Sequence, residues 1–264
     1  RGLGDVYKRQ HLNSLYSPFV SFGQFARKYV ESARALLAQM ELQNFRNSWE
    51  ALPYAKYQVK VKDQAVEALK TSVYRRGEMP PVEPLYLVAG YDPGELQTHW
   101  VVCVVTAGGE LWVIDWGTLL GFRTEGGRKG VAAHFPGLHY QFGDQILSPA
   151  LGLIDSGWNT EATYTECGLL PGQLYPTKGS PAGFGVWNRT ELKTHPGLEL
   201  YTYQDRAAKI ELYAERIAHG RGPGLHLPEN ADPDLIRGLS GQILEEKPGS
   251  QSQWKKIAGD HFGD

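Results

Sequence analysis

Apolar positions near the start of the chain recur at three- and four-residue steps. Phe22, Phe25, Ala26, Tyr29, Val30, Ala33, Leu36 and Leu37 form one stripe, the pattern of an amphipathic helix with Ser21 as its N-cap. A second helical stretch, ELQNFRNSWEALPY, runs to Pro53, and DQAVEALKTSVYRR repeats the period before closing on Gly77. Residues 18 to 70 therefore read as largely helical. GEMPPVEP follows with three prolines, each pushing the residue before it toward extended geometry, and a domain boundary is expected there.

From residue 85 the period changes. LYLVAGYD, HWVVCVVTA and ELWVIDWGTL are short runs rich in Val, Ile, Trp and Tyr, and AGGE joins the last two as a hairpin signal. This predicts a strand meander whose first member ends at Asp92. Further on, Leu151 to Ile154 reads as a short buried strand ending at Asp155, then a Ser-Gly turn and a helix. A Gly-rich loop (GSPAGFG), an extended piece (GLELYTY) and a helix (DRAAKIELYAERIAH) come next. GPGLHLPENADPDL is expected as a loop, Leu235 to Leu244 as a short helix, and WKKIAGDHFGD as the start of another. There are no repeats and no low-complexity tract.

Composition narrows this picture only a little. With 41% hydrophobic and 21% charged residues the chain has an ordinary soluble composition, and 264 residues suffice for one large domain, or one domain and a piece of another. No apolar run approaches the ~20 residues of a membrane helix. Cys103 and Cys167 lack CxxC spacing, which argues against a disulfide framework or a zinc site and for a reduced, intracellular protein. A net charge of −2 argues against a strongly basic nucleic-acid coat but leaves room for a local DNA-gripping patch. The first ten residues, RGLGDVYKRQ, back-translate into a transposon-based sequencing adapter and are expected to be non-native. The native chain then starts near His11 and stops at DHFGD, as a fragment cut at both ends would.

Two acids at strand ends stand out, Asp92 before Pro-Gly and Asp155 before Ser-Gly. Either alone fits an Asx-type turn. Together, on two strands of one sheet, they would lie on the rim where ligands bind. Carboxylates there suit a hard divalent cation, and a third acid would let them hold a pair of ions for phosphodiester cleavage. Asp115 also ends an apolar run, but a structural or hydrogen-bonding role is expected for it. Glu95, His99 and Trp100 are expected to face outward or pack on the sheet. His134, His139, His219 and His226 have no mutual ligand spacing. KGSPAGFG lacks the context of a nucleotide-binding loop, although Lys178 in it is a candidate DNA contact. The Asn188-Arg189-Thr190 sequon carries no meaning in an intracellular protein.

The order of these segments resembles the large subunit of lambda-type tailed-bacteriophage terminases, the DNA-packaging motor. YSPFVSFGQFARKYVESA and LQNFRNSWEALPY look like the end of its motor ATPase region, with an F-x-N string at Phe45-Arg46-Asn47. MPPVEPLYLVAGYDPGE looks like the first strand of its nuclease domain, and LGLIDSGWNTEATY like its I-D-S-G string and helix. LYTYQDRAAKIELYAERI, LHLPENADPDLIRGLSGQIL and WKKIAGDHFGD look like its lysine-bearing helix, its H-F-P and Q-L-T-x-E strings and its closing motif. The resemblance spans residues 15 to 264 and lies in the ordered set rather than in any one string.

It implies a mixed α/β, RNase H-like nuclease, with a central sheet flanked by helices. Residues 11–80 would be the helical end of the ATPase domain and linker, and 81–264 the nuclease domain, truncated at its C-terminus. The implied activity is cutting of concatemeric double-stranded viral DNA with two Mg²⁺ or Mn²⁺ ions, in the cytoplasm of the infected bacterium. The family's three acids fall on Asp92, Asp155 and Asp264, with Asp260 as the alternative third ligand. The full-length protein would bind a terminase small subunit and a portal protein, and would use ATP through motifs absent from these residues. Pro93-Gly94 stands where the family usually has Val-Gln, and Gln242 where Glu is common. The same acids would serve another RNase H-like phosphotransferase, a resolvase or transposase, and turn aspartates would serve a non-catalytic assembly module.

Overall fold

The computed structural model describes residues 12–34, 38–52, 59–123, 130–180, 187–240, 242–245 and 253–256. The chain divides into two compact units, Arg1–Tyr57 and Gln58–Asp264.

In the first unit, helices α1 (Phe22–Arg34) and α2 (Ala38–Ser48) follow a 3₁₀ turn at Ser14–Tyr16. Ser21 caps α1 as the sequence predicts. Its hydroxyl accepts from Gln24 N (3.2 Å), and Gln24 Oε1 accepts from Ser21 N (2.8 Å), a reciprocal capping box. Phe45 of α2 is buried against Phe25, Tyr29 and Trp49, with ring centroids 4.9, 5.6 and 6.2 Å away. The predicted stripe is only partly used: Phe22, Val30 and Ala33 remain exposed, and Leu36 and Leu37 lie outside the described residues.

The second unit holds β1 (Val59–Lys60), α3 (Asp63–Glu67), β2 (Lys70–Thr71), β3 (Tyr86–Pro93), β4 (Gln97–Val105), β5 (Leu111–Leu120) and α4 (Val131–His134). Then come β6 (Tyr140–Phe142), β7 (Gln145–Leu147), β8 (Leu151–Asp155), α5 (Thr160–Leu169), β9 (Leu174–Ser180), β10 (Trp187–Glu191) and β11 (Glu199–Gln204). Helix α6 (Asp205–Lys209) continues as a π-helix over Ile210–Ala218, followed by β12 (Leu225–Pro228), α7 (Pro233–Ser240), β13 (Gln242–Glu245) and β14 (Gln253–Lys256).

Among the described residues the main sheet has nine strands in the order β10-β11-β9-β8-β3-β4-β5-β12-β2. At its centre β3, β4 and β5 form the predicted antiparallel meander, and β8 and β9 add in parallel beside β3. The meander with parallel strands beside its first member, and helices on both faces, is the mixed α/β, RNase H-like architecture. Alternation along the strands gives each face its own core. Leu87, Ala89, Tyr91, Val102, Val104, Ile114, Ile154 and Leu174 pack on one side with Val131, Phe135, Ala162 and Cys167 from α4, α5 and the turn after α4. The other side carries the 205–218 helix and α7, whose Tyr213, Ala214, Leu235 and Leu239 are buried.

Several expectations need correction, and the reason is pairing between distant segments. The helix expected over DQAVEALKTSVYRR stops at Glu67, because Lys70 and Thr71 pair in parallel with Leu227 and Pro228. Those partners sit in β12, where a loop was expected; Leu225 and His226 also pair with Leu111 and Trp112 of β5. The helix expected to reach Leu244 ends at Ser240, and Gln242–Glu245 instead pairs with Gln253–Lys256, where the tail was expected to turn helical. The division into units falls after Tyr57, ahead of the proline-rich stretch. Residues before that stretch are tied into the sheet: the Tyr74 hydroxyl donates to Val113 O (2.8 Å) and Gly77 N to Ile114 O (2.8 Å).

Candidate active site

Asp92 and Asp155 arrive at the same place because their strands are in register. Gly90 faces Leu153 and Tyr91 faces Ile154 across the parallel β3–β8 pair, so the next residue on each strand is an aspartate. Parallel neighbours lie about 4.8 Å apart, and side chains at matched positions share a face. Asp155 faces Thr177 of β9, and Asp92 faces His99 of β4. His99–Asp92–Asp155–Thr177 is thus one row across four strands. Both aspartates are partly buried and line one cleft of about 360 Å³, roofed by the 205–218 helix.

The strings around the acids have physical reasons. After Asp155, the buried Ser156 is pinned to β9, its amide and its hydroxyl each donating to Thr177 O at 2.8 Å. Gly157 N then donates to Asp155 Oδ2 at 3.1 Å. A Cβ on Gly157 would stand 2.9 Å from that same oxygen, so only glycine leaves the carboxylate where it is. After Asp92 the strand continues through Pro93, which faces Thr98, and Gly94 N donates to Gln97 O at 2.9 Å. A Cβ on Gly94 would meet Gln97 O at 3.1 Å. The Pro-Gly pair therefore closes a tight hairpin that holds Asp92 opposite His99.

The cleft also gathers residues the sequence reading passed over. His99, expected to face outward or pack, lines it instead. Its Nδ1 lies 3.3 Å from Thr118 Oγ1 and its Nε2 3.2 Å from Gln97 Nε2. Asp205, the first residue of α6, lines the same cleft and forms an ion pair with Lys209 (Oδ1 to Nζ, 3.3 Å). Its approach depends on Gly179, where a Cβ would come within 3.2 Å of Asp205 Cβ. LYTYQD carried a usable signal: like Asp92 and Asp155 in the sequence, Asp205 follows an extended apolar run, but a helix rather than a turn comes after it.

Other candidates lie apart. Lys178 is exposed and alternates onto the face opposite Thr177. Asp115 has the hydrogen-bonding role expected of it, accepting from Arg76 Nε at 2.8 Å, Trp116 N at 2.9 Å and Tyr140 Oη at 3.3 Å. His134 packs on Trp100 and meets Tyr91 Oη at 3.1 Å; burial holds its pKa below the usual histidine range, with the charge of Asp115 opposing. Both cysteines are free thiols, and burial pushes Cys103 up to about 12. Asp260 and Asp264 lie outside the described residues. Among the described residues no group of three or more His, Cys, Asp or Glu is arranged to hold a metal ion. The Asp92–Asp155 pair nonetheless has the right chemistry for a hard divalent cation: two carboxylates from neighbouring strands lining one partly open cleft, one of them oriented by a backbone amide.

The sheet order and its flanking helices define a mixed α/β protein, with two aspartates of neighbouring parallel strands in one cleft. The chain belongs to the family of terminase large subunit gpA endonuclease domains, whose family model matches residues 10–261. The matched stretch includes Asp260 and ends before Asp264. The solved structure of the HK97 bacteriophage large terminase is similar at 11% identity and a TM-score of 0.33, covering 94% of this chain and 50% of that one. The chain thus spans about half the length of that terminase. No curated protein matches. Among the described residues no helix is long and apolar enough to cross a membrane.

Proposed function

We propose that this chain is the nuclease portion of a phage terminase large subunit, hydrolysing phosphodiester bonds of concatemeric viral DNA during packaging in the infected cell. The observation that carries this reading is the in-register meeting of Asp92 and Asp155 in one cleft. Their carboxylates would hold Mg²⁺ or Mn²⁺, with Asp264 or Asp260 as the third acid. When bound, such a cation makes a water nucleophilic at neutral pH and offsets charge building on the phosphate oxygens. The chain's own residues orient and bind. Gly157 N fixes one oxygen of Asp155, the Pro93-Gly94 turn fixes Asp92, and His99, Asp205 and Lys209 supply polar groups toward the reacting strand. The family match favours this reading over a resolvase or transposase. On the same reading, the first unit is the helical end of the motor ATPase domain. The small subunit and portal protein are partners of the whole protein, and ATP is its fuel.

Nicking of supercoiled plasmid in Mn²⁺ tests the assignment. Asp92→Asn and Asp155→Asn should each slow cutting by about 100-fold or more, since loss of a mere outer-shell partner already costs ~10–100-fold. Cutting by both variants at the parent's rate would overturn it.

A further inference from the structure

The cleft has a wall that hydrolysis of a phosphate does not require. From Asp155 the row of matched residues continues through Thr177 and Tyr201 to Arg189 on β10, the edge strand. Two residues before Arg189 on the same face is Trp187, which lines the cleft holding the two aspartates and is 56% exposed. Every residue of β10 is exposed, an unusual place for a tryptophan. The indole is not loose, because Trp187 faces Tyr203 in register and the two rings lie 5.5 Å apart, inclined by 41°. Arg189 is 65% exposed and meets Glu199 at 3.5 Å and the Tyr201 side chain, surface contacts weak enough to yield to a phosphate. Strand spacing puts Trp187 about 14 Å across the sheet and about 7 Å along it from Asp155, a few nucleotides from the cutting point.

An aromatic face can stack only on a base whose own face is open, and in an intact duplex both faces are covered by neighbouring bases. We propose that the β10–β11 hairpin is a nucleobase-binding wall: Trp187, seated on Tyr203, stacks on an unpaired base of the strand whose phosphate lies at Asp92 and Asp155. The cleft then takes a locally single-stranded segment in preference to intact duplex, with Arg189 on the neighbouring phosphate. This rests on the nuclease reading for the placement of the strand, but it can be tested without cleavage.

The test is fluorescence anisotropy of the full chain with short labelled DNA, in EDTA: a single strand, the same strand made abasic, and a duplex. The parent should bind the base-bearing strand more tightly than the abasic one, and Trp187→Ala should lose roughly 5- to 150-fold on the former alone, the range for one stacked base. Trp187→Phe should recover most of the loss. A Trp187→Ala that binds the base-bearing strand like the parent overturns the proposal. So does an equal loss on all three DNAs, or full retention in a correctly folded parent of equal affinity for base-bearing and abasic strands. Plasmid nicking by the parent and by Asp92→Asn is run beside it. Failure of the parent to cut sinks the nuclease reading, whereas cutting without base-dependent binding sinks only the wall.

Discussion

The sharpest perturbation of the candidate site leaves both aspartates in place. Gly157 donates its amide to Asp155 Oδ2 and leaves open the space a methyl group would occupy 2.9 Å from that oxygen. In Gly157→Ala the carboxylate must rotate away, because the alternative is to move a backbone whose neighbour, Ser156, is anchored twice to Thr177 O. Rotation breaks a hydrogen bond to a charged acceptor, worth about 1.5–3 kcal/mol. If that orientation is needed to hold a cation in the transition state, nicking should fall roughly 10- to 150-fold.

Stability should change little, because the exposed amide and the partly exposed carboxylate regain water as partners when their bond is lost. Gly157 is exposed, and its φ is not among the left-handed values that disfavour alanine. Removing a glycine from the unfolded chain stabilises by about 0.4–1 kcal/mol where the backbone tolerates it. The assay is therefore a pair of measurements on Gly157→Ala, plasmid nicking in Mn²⁺ and a thermal melt. A variant with an unchanged or raised Tm and full nicking activity would refute the reasoning. Asp155 would then be a turn residue whose carboxylate orientation has no bearing on the chemistry.

Other consequences can be checked on the same footing. A Cβ at Gly152 would lie 2.5 Å from Leu174 Cδ2 and 3.0 Å from the Phe135 ring, both fully or nearly buried, so Gly152→Val should cost at least the ~1–3 kcal/mol of overpacking, read by urea unfolding. The buried Tyr74 hydroxyl shares its one proton between Val113 O at 2.8 Å and His226 O at 3.1 Å, so Tyr74→Phe should destabilise by about 0.5–1.5 kcal/mol through loss of that hydrogen bond. His134, its pKa lowered by burial, favours the neutral form in the fold, and the unfolded chain takes up the proton first as pH falls. Stability should therefore decline below the ordinary histidine pKa of about 6.5 and level off once pH is under the folded value, and His134→Asn should flatten that part of a Tm-versus-pH curve.

What could be read from the sequence divides along the range of the interactions. The N-cap at Ser21, the three-strand meander and the two turn-bounded acids are local: each is written within a few residues, by spacing or by turn chemistry. β12 is not, because LHLP is short, flanked by glycine and proline, and becomes a strand only by pairing with β5 and β2. That same distant pairing ends the helix at Glu67. His99 follows the same rule: its place in the cleft depends on the hairpin register that sets it opposite Asp92, seven positions earlier in the chain.

Asp205 is the instructive intermediate, since strand-then-acid was visible in LYTYQD while its meeting with Asp92 and Asp155 needed β11 to lie parallel to β9. Asp92, Asp155 and Asp205 thus sit at one end of parallel strands, β3, β8 and β11, and a sheet of this topology collects such carboxylates on one rim whatever they later bind. The topology therefore accounts for their proximity but not for their chemistry. The glycine two residues after Asp155 holds the carboxylate in one orientation on either reading, so it is the nicking rate of Gly157→Ala that discriminates a ligand from a turn residue.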